Sequence, residues 1–342
     1  MVPVRLVSVN LNLKPLDSGE HTMQFLHGTK IDFLGKRKTF IYLSLILNVI
    51  GILAPVVLGL RYGIDFEGGT EIALKFSEKI NTAEIRNVID KQFEGAEIKS
   101  YGKENQFLVR VALNLSKDAT TKIIQTLKEK YPNETITILK VDTIGPKVGK
   151  ELRMKALIAV ILAIIAIMLY IAFRFEFTYG VGAAIAIVHD VLVTLALVTV
   201  FSKLGILNLE INQSMIAAFL TVVGFSVNDT VIIFDRIREN LERHKGMNMI
   251  KLMNMSINET LSRTINTVVT VVMVLLIITL FGGEVLQGFS FTMLVGIITG
   301  AYSSIYIASA FVIWYLQNVK KVDVEGDLLR ENKADLLKAA KA

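Results

Sequence analysis

Residues 217–241, AAFLTVVGFSVNDTVIIFDRIRENL, decide how this chain is read. The stretch begins as an apolar run of membrane-spanning length, carries Asn228, Asp229 and Thr230 inside that run, and ends in the charged sequence Asp235-Arg236-Ile237-Arg238-Glu239. An ionised Asp near the centre of a spanning helix costs about 2.5–3.5 kcal/mol on insertion scales, so Asp229 is expected to face a bundle interior and to have a partner there. Ser226 lies three residues before it, and Val222, Asp229 and Arg236 recur at steps of seven, which puts them on roughly one face. One side of this helix is polar and the other is apolar.

The rest of the chain supports a membrane reading. At 52% hydrophobic with only 5 Pro in 342 residues, it is more apolar than an ordinary soluble globule. The apolar residues fall in runs at 40–60, 156–173, 181–201, 215–234, 265–281 and 289–316, each near the length of about 20 residues that a spanning helix needs. The expected fold class is therefore a multi-pass helical membrane protein with six transmembrane helices. The first run is too long for a cleaved signal peptide and lacks a small-residue cleavage site, so it is expected to remain as an anchor.

The net charge of +6 does not point to nucleic acid, because the Lys and Arg residues cluster beside the spans. Lys36, Arg37 and Lys38 precede the first; Arg236, Arg238, Arg243, Lys245, Lys251 and Arg263 lie between the fourth and fifth; Lys320 and Lys321 follow the sixth. The positive-inside rule puts both termini and a loop at 235–264 in the cytoplasm, with membrane lipids as direct partners of the spans. The expected domains are a cytoplasmic N-terminal segment at 1–39, the first span at 40–60, an extracytoplasmic domain at 61–155, five spans at 156–316 and a cytoplasmic tail at 317–342. Residues 1–22 read as a short extension without function, or as the product of a start placed upstream of Met23. With 0 Cys, disulfides and thiolate metal sites are excluded.

The long hydrophilic segment reads strand 71–76, helix 82–93, strand 97–101, strand 107–113, helix 117–131, strand 135–141. Asn81 with Glu84, and Ser116, are the helix-start signals, and Gly95 and Pro132 the stops. Strand-helix-strand-strand-helix-strand is the ferredoxin-like unit, an α+β domain with both helices on one face of a four-stranded sheet. It holds no His pair, Ser-His-Asp set or phosphate loop, so a binding or mechanical module is expected and no enzyme. Gly68-Gly69 lacks the Lys-Ser/Thr and helix of a phosphate-binding loop and suits a joint at the membrane.

Three further features stand inside or beside the spans. His189-Asp190 lies in an apolar run, where an ionisable pair takes part in proton movement or clamps helices together. Arg263 lies next to the fifth apolar run, near the face where the fourth span ends. Asp229 is roughly 10 Å inside that face, at about 1.5 Å per residue, and a long Arg side chain reaches most of that way; the plainer reading of Arg263 is snorkelling at the interface. Gly296 and Gly300 form a GxxxG, read as close helix packing. Ile250, Met253 and Ile257 mark an amphipathic helix expected on the membrane or on a partner.

Seven stretches together carry a resemblance: GIDFEGGT at 63–70, GPKVGKEL at 145–152, FRFEF and HD around the third span, GFSVNDTVIIFDRIREN at 224–240, SINETLSRT at 256–264, FGGEVLQGF at 281–289 and GAYSSIYIA at 300–308. In this order they resemble the SecF branch of the SecD/SecF family, in the RND superfamily, with small departures at Phe225 and Ala196. The resemblance implies a preprotein-translocase accessory subunit of the bacterial inner membrane that pairs with SecD, works beside the SecYEG channel on unfolded preproteins, and draws on the proton gradient. It implies no cofactor beyond the proton as coupling ion. It puts the family's proton-coupling Asp on Asp229 and its essential Arg on Arg263, with Ser226, Asn228, Thr230, His189 and Asp190 as relay or support. Competing readings are an RND-type efflux subunit for lipid or drug, and a passive assembly factor whose Asp229 only pairs with a partner helix.

Overall fold

The computed structural model describes residues 29–93, 96–101, 105–111, 119–207 and 209–324. The expectations for residues 1–22, for Gly95 and Ser116, and for most of the C-terminal tail lie outside these. Six helices are long and apolar enough to cross a membrane: α1 (Arg37–Leu58), α5 (Pro146–Arg174), α6 (Phe177–Lys203), α7 (Gln213–Arg243), α8 (Met249–Phe281), and a sixth made of α9 (Gly283–Ser303), one π turn (Ser304–Ala308) and α10 (Ser309–Asn318). The chain is a multi-pass helical membrane protein. α6, α7 and the sixth helix form the inside of the bundle, while α1, α5 and the apolar half of α8 expose Leu45, Val56, Leu162, Phe173, Ile277 and similar side chains outward.

The helices outrun the apolar stretches that identify them. α5 starts at Pro146, where a first-turn Pro gives up no hydrogen bond, and α8 starts at Met249, capped by Asn248, whose side chain accepts from Lys251 N–H. The expected loop at 235–264 is therefore mostly the continuation of α7 and α8, with only residues 244–248 outside a helix. Met253 and Ile257 are buried within the chain itself, and Ile250 is half-buried beside them. They pack into the chain's own core with Phe234, Ile237 and Leu34.

Between α1 and α5 lie a short α2 (Ile64–Glu67) and the elements β1 (Gly69–Lys75), α3 (Thr82–Asp90), β2 (Glu97–Ser100), β3 (Gln106–Val111), α4 (Ala119–Lys130) and β4 (Thr137–Ile144). The sheet order is β2-β3-β1-β4 and every pair is antiparallel. α3 begins where Asn81 accepts from Ala83 N–H. Ile85 and Ile89 of α3 and Ile123 and Leu127 of α4 meet Ile72, Leu74, Phe107 and Val109 of the sheet in one closed core. Each such aliphatic side chain, fully buried, contributes about 1.5–3 kcal/mol.

The sheet sits at one end of the bundle. Gly68 has φ +84°, and a β-carbon there meets Ile144 O at 2.9 Å, so only glycine lets β1 start this close to the end of β4. Tyr62 pairs in parallel with Ile211, through Gly63 N–H to Ile211 O at 2.9 Å and Ile211 N–H to Arg61 O at 2.8 Å. The Arg153 guanidinium of α5 lies 3.9 Å over the Tyr62 ring. Asp65 accepts from Gln213 N–H at 2.8 Å, satisfying an otherwise unpaired donor at the start of α7. At the opposite end of the bundle, the segment before α1 is pinned to α8. Asn258 exchanges two hydrogen bonds with Ile31, and Asn254 accepts from Phe33 and Leu34 N–H while donating to Asp32.

Candidate functional site

Close packing of α7 against α9 builds the interior of the membrane part. Val222, Ser226 and Thr230 recur at every fourth residue of α7, and Gly296, Gly300 and Ser304 do the same on the sixth helix. A β-carbon on Gly296 lies 2.4 Å from Val222, and one on Gly300 lies 3.0 Å from Ser226, so these glycines allow the two backbones to approach. With the helices that close, short hydroxyl side chains can bridge them: Thr230 Oγ1 and Ser304 Oγ are 2.7 Å apart. Ser304 also opens the π turn, and its own carbonyl accepts from Ser309 Oγ at 3.0 Å.

The carboxylate that collects these hydroxyls is Asp190. It is fully buried on α6, accepts from Ser226 Oγ at 2.6 Å and Ser303 Oγ at 2.8 Å through one oxygen, and meets His189 Nδ1 at 3.1 Å through the other. Asp190 thus joins α6, α7 and the sixth helix at one point. The His189 ring stacks at 5.8 Å on Tyr302, whose hydroxyl donates to Phe40 O and meets Ser44 Oγ at 2.8 Å, tying in α1. His189 Nε2 is buried without a hydrogen-bond partner among the described residues.

Asp229 is placed differently. It is 1% exposed, one turn along α7 from Ser226, and its Oδ2 is buried with no hydrogen-bond partner among the described residues. Arg263 of α8 acts on it through charge, but no ion pair within 4.0 Å joins the two. Asn228, its neighbour in sequence, is exposed on another side of α7, whereas Thr230 and Ser226 belong to the Asp190 cluster. Ser226 and Asp229 are therefore neighbours along the helix that serve different partners.

Two turns beyond Asp229, Arg236 of α7 pairs with Glu259 of α8 at 2.6 Å, and Asn240 donates to the same carboxylate at 2.7 Å. Arg236, Glu259 and Arg263 line a cleft of about 900 Å³ together with Asp32, Asn254 and Asn258. It opens at the end of the bundle opposite the sheet. Arg263 is thus exposed to a polar cleft on one side and faces a buried carboxylate on the other. No group of three or more His, Cys, Asp or Glu side chains among the described residues could hold a metal ion.

At the sheet end a second charged cluster appears, which the sequence reading passed over. Glu210, between α6 and α7, is 5% exposed; Lys99 of β2 reaches it at 2.8 Å and Arg110 of β3 at 2.5 Å. Arg110 also pairs with Glu97 at 2.8 Å, and Glu97 with Arg61. Burial opposes ionisation of Glu97, but its hydrogen bond with Glu210 and the charges of Lys99, Arg110 and Arg61 pull it down to about 2. Burial, and then the hydrogen bond with Glu97, push Glu210 up against the same cations. A single acidic residue in an otherwise apolar loop was the available signal, and its cations lie on two neighbouring strands.

Comparison with known proteins agrees with this architecture. Residues 122–318 match the family described as "Protein export membrane protein SecD/SecF, C-terminal", and residues 54–80 match the "SecD/SecF GG Motif". The chain is 39% identical over 299 residues to the protein translocase subunit SecF of Calditerrivibrio nitroreducens, covering 86% of this chain and 96% of that one. It is 40% identical to the SecF of Desulfurispirillum indicum, covering 83% and 91%. Among solved structures, SecDF from Thermus thermophilus superposes with a TM-score of 0.71 at 33% identity over 85% of this chain. This chain spans 39% of that longer one. A structure of SecDF in a super-membrane-facing form gives a TM-score of 0.64 over 93% of this chain. With a family match over more than half its length and SecF relatives covered almost end to end, the chain belongs to the SecD/SecF family of protein-export membrane proteins.

Proposed function

We propose that this chain, whose SecF-like role in protein export follows from its family, is driven by the proton gradient, with Asp229 as the group that takes up and releases the proton and Arg263 as its counter-charge. The observation that carries the reading is the contrast between the two buried aspartates. Asp190 is saturated by two hydroxyls and an imidazole, while Asp229 keeps an oxygen without a donor. A nearby guanidinium favours the ionised form of a buried carboxylate and loss of water favours the neutral one, so a small relative motion of such a pair switches a proton on or off. Arg263 acts on Asp229 through charge without an ion pair inside 4.0 Å, an arrangement from which the two can part. A charge crossing the membrane potential releases about 2.3 kcal/mol per 100 mV, enough to bias two arrangements of a helix bundle.

The His189-Asp190 pair is better explained as a clamp than as a relay, because its bonds cross from α6 to α7 and to the sixth helix at one point. Both termini and the cleft beside Arg263 are taken to face the cytoplasm, on the strength of the Lys and Arg residues gathered at that end. The β-α-β-β-α-β segment is taken to be a ferredoxin-like domain outside the cytoplasm; its antiparallel order β2-β3-β1-β4 supports that reading. SecD would supply the other half of the assembly, and the SecYEG channel with its unfolded preprotein the working site. Membrane lipid would cover the apolar outer faces of α1, α5 and α8.

The test is preprotein translocation into inverted membrane vesicles containing the partner subunits, comparing wild type with Asp229→Asn, with and without a proton gradient. The gradient-dependent component should vanish in the variant at unchanged yield of the complex. An equal response to the gradient in both would discard Asp229 as the coupling group and favour a structural role for it.

A further inference from the structure

Asp229 lies deep in the bundle, and the sheet domain sits beyond one end of it, so proton uptake can move the sheet only through a mechanical connection. α7 is that connection in part. It runs unbroken from Gln213 past Asp229 with no Pro, and the distance from one to the other is roughly 24 Å at 1.5 Å per residue. What grips the sheet end of α7 is the segment just before it. Backbone pairing at Tyr62 and Ile211 and the bond from Gln213 N–H to Asp65 hold α1 and α2 there. The sheet meets this same segment through Glu210, which takes Lys99 from β2 and Arg110 from β3, in addition to the chain's own continuity into α2 and α5 and a contact of β2 with α9.

We infer that Glu210 is a positioning residue that gears the start of α7 to the sheet, so that a displacement of the Asp229 helix is carried into the domain without the two parting. The burial of the cluster supports this. The side chains of Glu210, Lys99 and Arg110 are 3%, 14% and 15% exposed, so water screens them weakly and removing one leaves buried charges behind. Arg110 Nη1 is moreover shared between Glu210 and Glu97, which brings a carboxylate of β2 into the same cluster. Two strands gripped by one carboxylate cannot rotate about it as they could about a single pair. The inference rests on Asp229 being the proton-carrying group.

The chain contains 0 Cys, which makes the test direct. Glu210→Cys and Arg110→Cys are introduced singly and together, with cysteine-free partner subunits, and the double variant is bridged by a bifunctional methanethiosulfonate. Both single variants and the unbridged double variant should lose most of the gradient-dependent translocation while keeping the gradient-independent part and the yield of complex. Bridging should restore the lost component, and a reductant should remove it again. A passive stabilising role would not make activity return with a covalent tether and leave with its cleavage. Lys99→Met, which leaves the Arg110–Glu97 pair in place, should give a smaller loss of the same kind and serves where the Cys variants assemble poorly. Unimpaired variants, or a bridged protein that stays inactive, would overturn the inference. If these variants are unimpaired while Asp229→Asn fails, only the gearing is wrong; if Asp229→Asn also responds normally to the gradient, the proton reading itself falls.

Discussion

Gly296→Ala is the smallest change that tests whether contact between α7 and α9 holds the polar interior together. The added methyl lies 2.4 and 2.6 Å from the two γ-carbons of Val222 and 3.0 Å from its β-carbon. Carbon atoms rest about 3.5–4.0 Å apart, so either the helices separate by roughly 1 Å or Val222 leaves its rotamer. Overpacking of this kind costs about 1–3 kcal/mol. The separation is felt two turns on, where Thr230 and Ser304 bridge the same helices at 2.7 Å and Asp190 accepts from Ser226 of α7 and Ser303 of α9 at once. A shift of roughly 1 Å takes the first contact beyond hydrogen-bond range and costs about a further 1 kcal/mol. The expected destabilisation is therefore about 2–4 kcal/mol.

Val222→Ala removes both γ-carbons and leaves only the 3.0 Å contact, which a displacement of a few tenths of an ångström relieves. Gly296→Ala should thus be less harmful in the Val222→Ala background than alone, with a coupling of about 1 kcal/mol or more. The measurement is a double-mutant cycle from unfolding of the purified protein in detergent micelles. Additivity within about 0.5 kcal/mol would mean that the two positions do not bear on one another, and the account of how the site is framed would fail.

Two predictions concern the ends of the bundle. Replacing Asn258 by Ala removes the two bonds that hold Ile31 to α8, and Asn254→Ala frees Phe33 and Leu34 N–H; amide exchange at residues 31–34 should rise sharply in both, and unchanged protection would refute the pinning. At the sheet end the two carboxylates of the cluster titrate in opposite senses. Glu97, held at about 2, contributes to docking fully above the ordinary carboxylate range, and that contribution is lost as pH falls towards 2. Glu210, pushed up, contributes fully below the ordinary range and loses its contribution as pH rises through its raised value. Glu71, Lys99, Arg110 and Arg61 surround the pair. Protection of the Gly63 and Ile211 amides should therefore persist through mildly acid medium and fall only near pH 2; loss already at pH 5 would contradict the assignment.

What could be read from the chain before its structure was what repeats at short range. Apolar runs of bilayer length named the six spans, and the Asn81 cap and the Gly296–Gly300 spacing are local signals too. Helix ends were misjudged where hydropathy stopped before hydrogen bonding did, as at Pro146 and Met249: a helix continues into polar surroundings if its donors are capped and its apolar face finds the core. Helical periodicity put Ser226 and Asp229 on one face, yet the structure gives Ser226 to Asp190, 36 residues earlier, and leaves Asp229 for α8. Periodicity tells which residues share a face, but not which of several neighbouring helices that face meets. Glu210 was overlooked for the same reason, since its partner Arg110 is 100 residues away.

The two buried aspartates divide the work that one would do badly. A carboxylate that must fix three helices needs every oxygen satisfied, because each unmade bond in the interior is costly and each made one resists change. A carboxylate that must gain and lose a proton needs the reverse: one oxygen free and a counter-charge able to withdraw. Asp190 has the first environment and Asp229 the second, one turn from Ser226 on the same helix. Any rearrangement that starts at Asp229 therefore begins beside a point that does not yield, and the adjacent part of α7 must pivot on it. Ser226 is the fulcrum in that geometry, and the long arm is the length of α7 that ends at Gln213, beside Glu210. A small lateral shift at Asp229 is magnified along that arm, which is why a proton site near the middle of α7 can act on a sheet bound at its start.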